Sequence, residues 1–508
     1  MLRCLGIVFY YNKEKGDTLN TYRVKDNMNN KFESLNLNVD ILKAIENLGF
    51  KKPSNVQREV IPTLLQKKDV IVKSKTGSGK TASFGIPLCQ NVNIESYKVQ
   101  GIVLAPTREL VLQIKEDISN IGRIKKVRCE AIFGKQSMEG QIKKLKQRTH
   151  IVVGTPGRVI DHLERETLDL SKVDFVILDE ADKMLSMGFI EQIEEVLKRV
   201  NKNATIGLFS ATIPEKIEYL CNSYMKDPKF IEVKTLDIEK KIEEKYISLD
   251  TKEKKKALWQ ILYGKHPNQA IVFCNTKDKV NEVLKDLRTE NILAKSIHGG
   301  MEQKDRLSVM KEFKNKEFKV LVATDVAARG IHIEDLSLVI NYEVPMENES
   351  YVHRIGRTGR SGKEGLAISF VANYEKRFLE SIKEYTKKDI QEIFCPSKDE
   401  ILKGKKVFKE NQNKMLKNLD VKVAKKEIHK DIVKIHISAG KKKKIRALDI
   451  LGCFSNLDGL TGVDIGIIDI LDNISYVDIL NGKGNLVLRN NKTVKIKGKN
   501  VKIERARK

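Results

Sequence analysis

Between Asp69 and Phe209 short apolar runs recur, Val70 to Val72, Gly101 to Leu104, Ile151 to Val153, Phe175 to Leu178 and Thr205 to Phe209, each followed by a turn and an amphipathic stretch. Continuous runs of this length suit strands covered on both faces, and their alternation with helical patterns predicts a parallel sheet flanked by helices. After the charged stretch Asp237 to Lys256 the rhythm resumes with Ala270 to Phe273, Ala294 to Ile297, Val320 to Ala323, Leu338 to Asn341 and Leu366 to Phe370, a second α/β lobe. Lys398 to Lys430 is lysine-rich and poor in aromatics, and reads either as a basic linker or as a plain solvated helix. From Val433 the pattern changes to short alternating strands, Lys434 to Ser438, Val463 to Ile470, Tyr476 to Leu480 and Lys499 to Arg505, with helical Ile445 to Leu457 and Lys483 to Arg489 between them. That order predicts a small α+β domain of the split βαβ type.

A chain of 508 residues is too long for one core and fits roughly three domains of about 150 residues each. The pattern divides it into 29–236 and 237–395, the two lobes, 396–432, a basic linker, and 433–508, the small domain. Residues 1–28 are expected to be a disordered extension or the product of an over-early start, because Met28 precedes a better-patterned beginning. No run approaches the ~18 apolar residues of a membrane helix, and Leu5 to Tyr11 lacks a following small-residue cleavage site, so neither a span nor a signal peptide is expected. The seven cysteines are widely spaced and never C-x-x-C, which argues against a disulfide framework or a zinc site and for a reducing cytoplasm.

The net charge of +26 changes the picture of partners. Cations docked on a polyanion release condensed counterions, so a nucleic acid is favoured over an ordinary basic surface. From Ser397 onward 27 Lys and Arg face 13 Asp and Glu, a surplus of 14 that is over half of the whole excess.

Directly after the first strand stands Ser74-Lys75-Thr76-Gly77-Ser78-Gly79-Lys80-Thr81, opening a helix. Its glycines let backbone N–H groups close around phosphate, the helix N-terminus adds partial positive charge, Lys80 reaches the β and γ phosphates, and the Thr81 hydroxyl reaches Mg²⁺. Ser74 occupies the place of the usual first glycine. The strand Phe175 to Leu178 runs into Asp179-Glu180-Ala181-Asp182. Carboxylates at the carboxyl end of a parallel strand face the crevice where such sheets bind ligands, so Asp179 is expected to hold Mg²⁺ and Glu180 to polarise the attacking water.

The order of these motifs resembles that of the DEAD-box RNA helicases over about Phe32 to Phe370. The resemblance implies two RecA-like lobes, ATP and Mg²⁺ as cofactors, and an RNA-stimulated ATPase that opens short duplexes locally without translocating. Gly49 to Gln57 is similar to the family's Q motif, with Phe32 at its upstream aromatic. Gln57 would pair with the adenine edge while Phe32 packs on the base. Ser210-Ala211-Thr212 is similar to the coupling motif, implying hydrogen bonds from the Ser210 and Thr212 hydroxyls to the DEAD carboxylates, and Asp182 and His353 join that coupling set. His353 to Arg360 packs several guanidinium groups among glycines, and by resemblance Arg357 and Arg360 are arginine fingers that act when the lobes close. Asp325 and Gly330 belong to the adjoining ATP-binding motif. His332 stands where the family has Asp at the ribose contact, and Lys135 follows Gly134 where a second glycine is common.

Arg108, Gly134, Thr155, Arg158, Gln303, Arg306 and Thr324 fall in segments similar to the family's RNA-backbone motifs, whose residue types suit phosphate and 2′-hydroxyl groups. In the tail, Lys434 to Arg446, containing Lys441, Lys442, Lys443, Lys444 and Arg446, and Ser475 to Leu480, containing Tyr476, resemble the C-terminal domain of the bacterial DEAD-box protein A family. That implies binding of a 23S rRNA hairpin and a place in large-subunit assembly. With Tyr476 the only aromatic on the proposed sheet, this is not a standard single-strand-reading RNA recognition motif. The alternatives are a dimerisation or generic RNA-clinging domain, an ATP-gated RNA clamp or general RNA chaperone of the same fold, and a DNA helicase. Oligomeric state stays open, with a monomer favoured.

Overall fold

The computed structural model describes residues 31–74, 79–232, 242–325, 336–359, 364–421 and 431–506, less the side chains of 303 and 417–421. Of the expected site residues, Lys75, Thr76, Gly77, Ser78, Gly330, Arg360 and the Gln303 side chain lie outside it, as do His332 and the extension 1–28. The first lobe and the C-terminal domain cluster as one compact unit, and the second lobe with the helix after it forms the other.

The first lobe has, among its described residues, strands β1 (Val70–Lys73), β2 (Gly101–Leu104), β3 (Cys129–Ile132), β4 (Ile151–Gly154), β5 (Phe175–Asp179), β6 (Thr205–Ser210) and β7 (Lys229–Glu232). They pair in the order β3-β4-β2-β5-β6-β1-β7, every pairing parallel. The central runs are apolar because both faces are covered: one side packs residues such as Phe84, Ile114 and Phe209, the other Val159, Ile193 and Leu220. Crossover helices return the chain each time to the same edge, so the loops after β1, β2, β4, β5 and β6 gather at the carboxyl ends of the strands. The two strands that the apolar pattern does not predict, β3 and β7, are the edges, where half-exposed polar residues dilute the signal.

The second lobe repeats this plan with β8 (Ile242–Ser248), β9 (Ala270–Phe273), β10 (Ala294–Ile297), β11 (Val320–Ala323), β12 (Leu338–Asn341), β13 (Gly365–Val371) and β14 (Gln391–Glu392), in the order β10-β11-β9-β12-β13-β8-β14 and again parallel. The lysine-rich stretch expected as a linker is, over Lys398–Val421, a helix seated on this lobe. Ile401 and Phe408 enter its core, the Phe408 ring meets Tyr263 edge-on, and Gln412 bonds the Leu293 N–H and the Asn291 carbonyl. A Cβ at Gly404 would lie 2.1 Å from the Tyr263 carbonyl oxygen, so glycine permits that close approach.

The C-terminal domain contains β15 (Val433–Ile437), β16 (Ile465–Ile470), β17 (Ser475–Ile479), β18 (Thr493–Ile496) and β19 (Lys499–Arg505), antiparallel in the order β16-β17-β15-β19-β18. Helices Ala447–Ser455 and Gly484–Asn490 fall where the pattern predicts them. The short β18, which the pattern misses, makes a hairpin with β19 through Lys497 and Gly498, both at positive φ.

Candidate active site

The phosphate loop leaves β1 at Ser74, whose N–H donates to the Ser210 carbonyl at 2.9 Å and prolongs the β1–β6 pairing. Gly79 ends the loop with φ 86° and leads into the helix Lys80–Asn91. A Cβ on Gly79 would stand 2.8 Å from Gln57 Nε2, so angle and space both require glycine there. Gln57 belongs to a capping box at the start of the helix Asn55–Leu65: its Oε1 accepts from the Ser54 N–H at 2.9 Å, while its Nε2 donates to the Gly79 carbonyl at 3.2 Å. The amide expected on adenine therefore ties the Q-like segment to the phosphate loop. An amide has two N–H and two lone pairs, so one donor and one acceptor remain for a base. Phe32, expected to pack on that base, is 3 % exposed and sits in the lobe core beside Phe50. Lys80 Nζ donates to the Ser74 carbonyl at 3.2 Å and retains two further N–H for phosphate. Thr81 follows it, half-buried.

At the end of β5, Asp179 is buried and its Oδ1 accepts the Glu180 N–H at 3.0 Å. Glu180 has φ 54°, a left-handed conformation that costs a non-glycine residue about 1 kcal/mol or more and is retained mostly at functional sites. Lys183 Nζ holds Glu180 Oε1 at 2.8 Å. Asp182 is gripped by the segment after β6: its N–H donates to Ser210 Oγ at 3.1 Å, and its Oδ2 accepts the N–H groups of Ala211 and Thr212 and the Thr212 hydroxyl.

The candidate RNA contacts of this lobe converge. A Cβ on Gly134 would lie 3.5 Å from Arg108 Nη2 and 4.0 Å from Arg158 Nη2, so these residues share one patch at the carboxyl edge of the sheet. Arg108 opens the helix Arg108–Ile121, and Thr155 precedes Pro156–Glu164. Lys135, where a glycine is common, adopts φ 59° all the same.

In the second lobe, Arg354 is fully buried and grips both oxygens of Asp325 at 2.6 Å, with Asn275 Oδ1 at 2.8 Å and the Glu343 carbonyl at 2.8 Å. Asp325, expected to face ATP, is thus built into an ion pair just after β11. Thr324 precedes it, nearly buried, and its N–H donates to Ile297. Arg357 donates its N–H to the Arg354 carbonyl and is half-exposed, and His353 is exposed one turn before it. Arg306 lies in the first turn of the helix Gln303–Lys314.

In the C-terminal domain Lys441–Lys443 form one exposed 3-10 turn, closed by Lys444 at φ 58° and followed by exposed Arg446. Tyr476 lies apart from them on β17, its ring against His436 with Lys434 Nζ above it.

Over 478 residues the chain is 50 % identical to the ATP-dependent RNA helicase DbpA of Bacillus subtilis (strain 168), covering 94 % of this chain and 99 % of that protein. The chain is a DEAD-box ATP-dependent RNA helicase.

Residues 54–220 of this helicase match the DEAD/DEAH box helicase family, 253–362 the helicase conserved C-terminal domain, and 434–505 the DbpA RNA binding domain. It is 44 % identical over 374 residues to the DEAD-box ATP-dependent RNA helicase CshA of Geobacillus kaustophilus (strain HTA426), covering 73 % of this chain and 80 % of that one. Among solved structures it is similar to S. cerevisiae Dbp5 bound to RNA and ADP BeF3, at 31 % identity and a TM-score of 0.64, covering 76 % of this chain and all of that one. RNA is accordingly its partner and ATP its nucleotide.

Two helicase residues escape motif reading. Gln141 orients Arg158 by accepting from its Nη1 at 3.1 Å, while bonding the Phe133 carbonyl and buried His162. Arg354 reads as one more surface cation in an arginine-rich run. Its signal was the helical spacing from apolar Tyr351 and Ile355, which turns it inward.

Proposed function

We propose that this helicase opens short RNA duplexes locally, and that its C-terminal domain directs it to a 23S rRNA hairpin in assembling large ribosomal subunits. The observation that carries the targeting is the exposed turn Lys441–Lys443 with Lys444 and Arg446, on a domain that matches the DbpA RNA binding domain. Four successive ammonium groups suit closely spaced phosphates of a folded RNA, and the scarcity of aromatics beside Tyr476 disfavours stacking on unpaired bases. The enzyme works as a monomer, and in a reducing cytoplasm, the compartment that seven widely spaced cysteines without a C-x-x-C pair suit.

The donors available suit Mg²⁺. Among the described residues no three acidic or His/Cys side chains gather into a cage, and Mg²⁺ prefers one or two carboxylates plus phosphate oxygens. Asp179 and Thr81 would hold it, where it neutralises charge on the transferred phosphoryl group. Lys80 and the Gly79 amide bind phosphate, and Glu180, poised by its backbone and by Lys183, orients the attacking water. Arg357 and Arg360 add positive charge in the transition state, and loss of either finger should cost about a thousandfold or more in rate. Arg108, Gly134, Thr155, Arg158, Gln303, Arg306 and Thr324 hold the RNA backbone, and Asp182 with Ser210, Thr212 and His353 couples that hold to hydrolysis.

Removal of residues 433–508 tests the targeting: RNA-stimulated ATPase should persist while preference for the 23S hairpin disappears. Unchanged preference would refute it.

A further inference from the structure

Within the strongly basic tail lies a block of opposite sign. Leu451 to Gly482 contains five aspartates, Asp458, Asp464, Asp469, Asp472 and Asp478, and neither Lys nor Arg. Three of them face the first lobe. Arg123 lays its guanidinium on both oxygens of Asp478, at 3.2 and 3.3 Å, with Asp478 almost wholly covered. Arg128 meets Asp469 at 3.0 Å and also donates to the Ile468 carbonyl. Lys143 reaches Asp472 at 3.3 Å, and Gln147 Nε2 donates to the Ile470 carbonyl at 3.2 Å. Two of these bonds therefore end on main-chain carbonyls of β16, the edge strand of the small sheet, where backbone groups would otherwise face water.

We infer that the acidic β16–β17 hairpin is an intramolecular docking surface, which seats the RNA-binding domain on the basic edge of the first lobe formed by Arg123, Arg128, Lys143 and Gln147. The location separates docking from catalysis. Arg128 immediately precedes β3, Arg123 follows the end of the helix Arg108–Ile121, Lys143 lies in the last turn of the helix Met138–Leu145, and Gln147 stands just beyond it. All four stand at the amino ends of the strands, opposite the edge that carries Ser74, Arg108, Gly134 and Asp179. A docked domain leaves that working edge open.

Docking also fixes the lysine turn. The N–H of Lys441 donates to the Leu471 carbonyl and that of Lys442 to Asp472, both at 2.9 Å, and a Cβ on Gly440 would meet the Leu471 oxygen at 2.1 Å. The turn and the docked hairpin are one backbone-bonded piece. The seat on the first lobe thus sets where the four lysines stand relative to that lobe, whichever RNA they bind.

The test uses the full RNA-free chain, with spin labels on unnatural amino acids at exposed Lys172 and Leu448, one in each domain. The expected result is one narrow distance population in the native chain. R128D and D469R should each reduce it at least twofold, and the R128D/D469R double should recover it. Because Asp469 also meets Lys434, a second cycle with K143D and D472K repeats the swap on a pair clear of that lysine. A distribution equally broad in the native chain and R128D would overturn the inference, as would loss in the single variants without recovery in either double. So would a short distance that grows with chain concentration, the sign of a second copy on this surface.

Discussion

The Thr212 hydroxyl donates to Asp182 Oδ2 at 3.2 Å, and the same oxygen accepts the N–H groups of Ala211 at 3.2 Å and Thr212 at 3.1 Å. Asp182 lies in the first turn of the helix Ala181–Ser186 that follows β5, and Thr212 in the segment after β6, so these bonds link two segments that leave neighbouring strands at one edge. Because Ser210 Oγ also accepts from the Asp182 N–H, the S210A/T212A double removes two side-chain bonds while leaving the backbone pair. Its RNA-stimulated ATPase should stay within a few-fold of native while duplex release falls at least tenfold. Parallel loss of both activities would show that the link serves the fold alone.

Gln57 is the hinge between the Q-like segment and the phosphate loop. Q57A deletes the bond to the Gly79 carbonyl and half of the capping box, losses of about 1 kcal/mol each. The KM for ATP should rise roughly tenfold with folding retained. G79A, at φ 86° and with Gln57 Nε2 in the way, should abolish ATP binding by equilibrium titration. ATP affinity unchanged in G79A would contradict the account of the loop.

Arg354 and Asp325 should behave as a structural pair. Removing one partner of a buried ion pair typically costs about 3–5 kcal/mol, and lysine cannot reproduce the two-pronged grip. R354A and R354K should both lower the denaturation midpoint of the second lobe, R354A more. A variant of native stability but reduced ATPase would instead assign Arg354 to the chemistry.

His150 makes the first lobe acid-sensitive. Its Nδ1 accepts the Arg128 N–H at 3.0 Å and its Nε2 faces the Ile94 carbonyl at 3.2 Å, a pairing that needs the neutral ring. Burial lowers its pKa to about 4 from the usual 6.5. The unfolded chain therefore binds the proton more readily between those values, so stability contributed above pH 6.5 is lost as pH falls toward 4. The loss should be on the order of 3 kcal/mol at its limit, reinforced by buried His162, whose pKa is also lowered. Denaturant midpoints that are flat across this range, or that fall equally in H150Q, would contradict it.

What the chain discloses before folding depends on where a residue sits. Central strands such as Phe175–Asp179 are covered on both faces and therefore announce themselves as apolar runs, and the chemistry follows because it hangs on their ends. Edge strands such as Cys129–Ile132 and Thr493–Ile496 keep polar residues and stay hidden. The helix Lys398–Val421 is masked by its lysines, although Ile401, Gly404, Phe408 and Gln412 recur at helical spacing along its buried stripe. The acidic motif and the phosphate-loop lysine were legible because each motif is local, whereas the Asp182–Thr212 link, 30 positions apart, was expected only from the family resemblance. Arg354 with Asp325, and Gln57 with Gly79, join residues 29 and 22 positions apart, and only the fold reveals which side chain faces which.

The measurement closest to the central claim is ATPase stimulation of the full chain by a 23S rRNA hairpin fragment and by random RNA of equal length, repeated with Lys441 to Lys444 replaced by alanine. Half-maximal stimulation is expected at a concentration at least tenfold lower for the hairpin, a preference that the alanine variant loses while its maximal rate holds. Equal stimulation by both RNAs in the native chain would contradict it.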